Sequence, residues 1–184
     1  MDVYLVFKFL HVVSAIIWLG AGFGLVTLGV FADSRKDNEE FGRVVENVIF
    51  LSPRLFIPVS LAALVFGLIA APLQWSFGDL WIILGLVGFA ATFLTGLLVL
   101  KPTSERLSAM IAKEGYSDNV VTHGRALINQ AKFDYVVLFA VVFDMVVKPT
   151  SGDWAALLII AIAIVAGAFF FLAPAMMRSA PAKP

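Results

Sequence analysis

Five apolar stretches alternate with polar connections along the chain, at residues 3–31, 55–71, 77–100, 133–147 and 154–177. A membrane-crossing helix needs about 20 mostly apolar residues. The first stretch is long enough to tilt in a bilayer or to project beyond it. The second follows Ser52-Pro53, where serine can cap a helix and proline fits its first turn, and Pro58 is placed to bend it. The fourth is short, but Tyr135 and a helical pattern from Asp118 onward predict a helix entering from water. The fifth carries no charge. The pattern predicts an all-α, polytopic transmembrane helical bundle of five spans, residues 1–178 forming one domain.

The connections have a helical period of their own. Residues 39–51 place Phe41, Val44, Val45 and Val48 on one side and the charges elsewhere. Residues 104–114 repeat the arrangement and end at Gly115, a natural C-cap. Ser117 or Asp118 is placed to cap a further helix that runs through His123 toward the fourth stretch. Connecting helices are therefore expected near 38–51 and 103–132, with a short flexible tail at 179–184. Lys132 and Asp134 read as the charged start of a helix at the membrane surface.

Composition supports this picture and narrows the chemistry. Residues are 61% hydrophobic and 14% charged, whereas soluble domains run to about half apolar and a quarter charged. Thirteen basic and thirteen acidic side chains cancel, which leaves no global field for nucleic acid. Cysteine is absent, excluding disulfides, thiolate metal sites and cysteine catalysis. The opening Met1-Asp2-Val3-Tyr4 lacks the basic start of a signal peptide and reads as part of a retained helix.

Charge asymmetry sets the expected orientation. Arg35, Lys36, Arg43 and Arg54 lie between the first two stretches, and Lys101, Arg106, Lys113, Arg125 and Lys132 between the third and fourth. The opposite connections hold only Lys148. Basic loops stay in the cytoplasm, so the N-terminus is expected outside and the C-terminus inside. Trp75, Trp81 and Trp154 then share the outer interface, as an aromatic belt does.

Polar residues within the spans are the candidate chemistry. In "FKFLHVVSAIIWLGAGFGL", Lys8 and His11 lie three apart on one helix face that continues through Ser14, Ala15 and Trp18. Gly20 and Gly24 form a GxxxG pair that invites close helix packing. In "DMVVKP", Asp144 and Lys148 lie four apart on a helix running outward. All four charged or titratable side chains are thus expected at one depth, lining an outer-side pocket in which His11 pairs with Asp144. An ionisable group within a membrane is a functional-site hypothesis by default. The expected ligand-binding set is His11, Trp18, Asp144 and Lys148, with His11 the candidate metal ligand.

"YLVFKFLHVVSAIIWLG", with its His-x6-Trp-x-Gly, resembles the first helix of copper-resistance D-type membrane proteins and of HemJ-type protoporphyrinogen oxidases. Taken with "SPRLFIPVSLAALVFGL" and "DYVVLFAVVFDMVVKP", it is similar to the integral membrane family labelled domain of unknown function 2269. The resemblance implies a helical bundle in a bacterial cytoplasmic (inner) membrane and, through the HemJ-type branch, a haem-associated His11. The lysine that such proteins use in a later helix would here be Lys101, on the opposite side from His11. Haem or another redox cofactor is thus the first expectation for the pocket, and copper a weaker one because no Met/His cluster lies on the outer side. Proton or quinone chemistry needs only a histidine and a carboxylate and stays open. The alternative is a non-enzymatic accessory or assembly subunit of a larger membrane complex, or a homo-oligomer.

Overall fold

A computed structural model describes residues 2–172. The expected tail at 179–184 and the end of the fifth stretch lie outside the described residues. Among those described, the fold is all-helical, with no strand.

Helix α1 (Val3–Ser34) begins at Asp2, whose side chain accepts the Tyr4 N–H at 3.0 Å. Helix α2 (Asn38–Leu51) is capped in the same way by Asp37, which accepts the Glu40 N–H. The second apolar stretch does not start afresh after Ser52-Pro53. Instead α2 continues through a π-helical segment, Ser52–Phe56, into α3 (Ile57–Ala70). Proline has no N–H, and its ring crowds the carbonyl four residues earlier. The widened turn, in which the Ile57 N–H reaches back to the Ser52 carbonyl, lets the rod carry Pro53 and Pro58 without ending.

The third stretch follows the same plan. Helix α4 (Leu80–Thr95) passes through a π-helical segment, Gly96–Leu100, into α5 (Lys101–Glu114), with Pro102 just beyond the wide turn. Gly115 ends α5 in a left-handed conformation, φ +67°, its N–H bonded to the Ile111 carbonyl. Ser117 then caps α6 (Asp118–Val147) by accepting the Val120 N–H. Lys148, also left-handed, closes α6 ahead of Pro149, and α7 (Trp154–Gly167) completes the bundle with a π-helical segment, Ala168–Leu172.

Among the described residues, four rods are long and apolar enough to cross a membrane: Val3–Ser34, Asn38–Leu73, Leu80–Glu114 and Trp154–Leu172. The fourth expected stretch is helical but is not among them; Lys132, Asp134 and Asp144 interrupt its apolar character. It nonetheless runs along α1, α4 and α7 within the bundle.

Packing divides the bundle in two. Helix α1 lies along α3, while α4 and α7 lie along α6; α1 touches α6, but α3 and α4 do not pack extensively on each other. The two groups are joined at the end of the molecule where α1 finishes. There Phe41, Val45, Leu107, Ile111, Val120, Val121 and Leu127 close on Ala32 in a buried core shared by α1, α2, α5 and the first half of α6. The amphipathic connecting helices bury their apolar faces against one another. Arg125 pairs with Asp33 at 2.8 Å and the Asn38 amide donates to Asp118 at 2.9 Å on the rim of this core.

At the other end, the turn before α7 depends on Asp153. The Thr150 N–H and hydroxyl each donate to its carboxylate at 2.7 Å. These bonds hold the Asp153 carboxyl below its ordinary value of 3.8. A depressed carboxylate contributes its stabilisation in full above the unfolded value and loses it as pH falls through the lower folded value. The Thr150 and Gly152 amides are therefore expected to exchange faster with solvent at pH 3 than at pH 6, after correction for intrinsic rates. Asp153→Asn is expected to flatten that difference.

A cleft between the two helix groups

The gap between α3 and α4 is a cleft of about 620 Å³. Its floor is α1 and α6, through Trp18, Gly22, Leu25, Asp134, Tyr135 and Leu138. Its walls are α3 and α4, with Ser60 on one side and Thr92 and Phe93 on the other. The first two π-helical segments line it, and the end core closes it near Arg54, Lys101, Glu46 and Glu105. The volume falls within the roughly 300–1,000 Å³ of small-molecule sites.

Two kinds of buried polar group line this cleft. Ser60, Thr92 and Ser104 spend their hydroxyl hydrogens on carbonyls of their own helices, at Ile57, Gly88 and Leu100. Asp134 is buried to 6% exposure yet makes no hydrogen bond or ion pair with any described residue. Its neighbour Tyr135 lies directly over Gly22, so close that any side chain at that position would displace its hydroxyl. Lys132, on the same helix, faces elsewhere: its ammonium donates to Asn129 and lies 5.9 Å from the centre of the Phe171 ring.

Aromatic rings give the cleft its shape. Trp18 meets Phe89 edge-on with centroids 5.7 Å apart, and Phe89 stacks on Phe93 at 5.5 Å. Phe56 comes from the first π-helical segment and Tyr135 from α6.

Of the four residues expected to form the site, only Trp18 lines this cleft. His11 lies on the α1–α3 contact, its Nδ1 2.6 Å from the Ala63 carbonyl and its ring against Gly67. Because the carbonyl only accepts, Nδ1 carries the proton and donates. Asp144 is buried to 2% exposure near Gly85, and neither carboxylate oxygen has a hydrogen-bond partner among the described residues. The expected His11–Asp144 bond is not formed. Lys148 instead extends over the Trp75 and Trp81 rings, at 5.3 and 5.5 Å from their centres. Lys8 is exposed, 5.5 Å from the centre of the Tyr4 ring.

The GxxxG reading also needs correction. A side chain at Gly20 or Gly24 would meet open space, whereas Gly22, between them, is the position of close approach. Asp134 and Tyr135 line the cleft, whereas the sequence reads them as the surface start of a helix. The signal available was a second acid, with Asp144, inside one expected span.

Among the described residues no three His, Asp or Glu side chains gather as a metal site. The family model described as "Predicted integral membrane protein (DUF2269)" matches residues 5–149. No curated protein and no solved structure matches the chain.

Proposed function

The chain belongs to the DUF2269 family of predicted integral membrane proteins, and from that premise we propose that it is a binding protein for a small, largely apolar molecule held within the bilayer. The observation that carries this reading is the cleft itself. It is apolar over most of its surface, the hydroxyls of Ser60, Thr92 and Ser104 are satisfied locally, and Asp134, 6% exposed, lines it without a hydrogen bond to any described residue. A ligand can enter from the side, since α3 and α4 leave a gap that lipid would face. In this reading α6 is the fifth membrane helix, its acids turned into the protein. The basic end core lies in the cytoplasm of a bacterial cell, and the N-terminus lies outside.

Gly96 provides the test. It lines the cleft, and a Cβ built on it meets nothing within 4 Å, so Gly96→Phe has room to start a bulky side chain there. Gly20→Phe, equally open but outside the cleft, is the control. Mass spectrometry of extracts from purified protein is expected to find a low-mass compound with the parent chain and with Gly20→Phe. Gly96→Phe should lack it. A compound that survives Gly96→Phe, or an empty parent chain purified with a stoichiometric larger complex, would support the accessory-subunit reading instead.

One observation favours a second reading. The His11 Nδ1–H is committed to the Ala63 carbonyl, which leaves Nε2 as the nitrogen free to ligate haem iron. Such a group would sit against α1 and α3, outside the cleft, which contains no histidine or methionine. A Soret band in the purified protein that vanishes in His11→Ala would establish it.

A further inference from the structure

Resting on the cleft reading above, we infer that the molecule it holds is a hydrophobic organic cation. The first observation is Asp134. A carboxylate, when ionised, only accepts hydrogen bonds, and Asp134 lines the cleft with no donor from the described residues. Taking it out of water is costly unless a donor or a positive charge replaces the lost solvation. The described residues supply neither: Lys132 turns to Asn129 and the Phe171 ring, so a positive charge on the ligand is what would hold this carboxyl ionised.

The second observation is independent of the first. Trp18, Phe56, Phe93 and Tyr135 all present aromatic surface to the same space. The face of an aromatic ring is electron-rich, and rings grouped around a cavity attract a desolvated cation, by about 0.5–2 kcal/mol for each well-placed contact. Aromatic rings beside a buried carboxylate favour a cation over a neutral molecule of the same shape and disfavour an anion.

The charges at the closed end do not reverse this sign. Arg54 donates to the Phe50 carbonyl at 3.1 Å and lies over the Phe50 ring, 4.2 Å from its centre. Lys101 is exposed, and Glu46 and Glu105 line the same end, so two cations there face two anions. Asp134 is the unbalanced charge.

Tetraphenylphosphonium and tetraphenylborate are nearly identical in size and shape and opposite in charge, so together they isolate the electrostatic part. Binding of each to the full chain in lipid nanodiscs would be measured by equilibrium dialysis, with empty nanodiscs subtracted. Saturable binding of the phosphonium, at least tenfold tighter than the borate, is expected. Asp134→Asn should lose at least tenfold for the phosphonium and bind the borate no more weakly than the parent chain does; Phe93→Leu should weaken the phosphonium several-fold. If Asp134→Asn does not fold, the two ions on the unaltered chain still decide the matter. Equal binding of both, with Gly96→Phe abolishing both, overturns the cation inference but leaves the cleft as a binding site. Saturable binding of neither ion overturns it too, and the cleft reading then stands or falls on the co-purified compound.

Discussion

Phe41→Ala is expected to cost about 3–5 kcal/mol, the usual range for removing a buried phenylalanine. Phe41 is exposed by only 1%, and its ring lies directly on Gly124 of α6, where no side chain would fit. Relaxation into the hole is restricted because α2, α5 and α6 converge on it. The position matters as much as the residue. In a bilayer, lipid tails are as apolar as leucine, so helix association gains little from moving apolar surface off lipid. The end core is where burial from water can act, and it joins two helix groups that are divided along much of their length. Leu98→Ala, at a position 69% exposed on the second π-helical segment, is the contrasting case and is expected near zero. Thermal unfolding in mild detergent should show a fall of roughly 6–20 °C for Phe41→Ala. A fall of under two degrees would mean that the core does not hold the bundle together.

The residues show which features could be foreseen. The end core was legible because water supplies contrast: Phe41, Val44 and Val45 stand out from the acids around them, and all three are buried. Gly115 and Ser117 announced their caps through backbone chemistry that depends on local sequence alone. Within the apolar stretches this contrast disappears. When lipid faces one side of a helix and protein the other, both sides are apolar, and no period reveals the packed face. Hence Gly20 and Gly24 suggested a contact that Gly22 makes instead. Ser52-Pro53 suggested a helix start because proline marks first turns, but the chain resolved the missing N–H by widening a turn. The expected site residues lie apart for a related reason. Depth can be counted from the sequence, but which neighbour a side chain meets depends on helix rotation. That rotation sends His11 to α3, Asp144 to α4 and Asp134 into the cleft.

Asp144→Val is expected to stabilise the protein, by about 1–3 kcal/mol, the range for the cost of leaving a buried polar group unsatisfied. Both carboxylate oxygens lie out of solvent without a partner among the described residues, beside Gly85 and Met145. Whether or not the group carries a proton, its hydrogen bonds to water are lost and none replaces them. Valine suits this part of α6, where Val141, Val142, Val146 and Val147 already stand. Asp144→Asn should give no comparable gain, because an amide in the same place leaves a donor and an acceptor equally unserved. The comparison separates polarity from shape, and thermal unfolding of the three chains in one detergent would read it. The pairing with His11 is decided by the same measurement. If Asp144 interacts with His11, Asp144→Val and His11→Ala should fail to add by more than about 0.5 kcal/mol, as contacting residues do. With His11 committed to the Ala63 carbonyl, additivity is expected. A destabilised Asp144→Val together with strong coupling would restore the outer-side pair. Stabilisation with additivity would identify Asp144 as a carboxyl kept at the expense of stability, which is what a group retained for function rather than folding looks like.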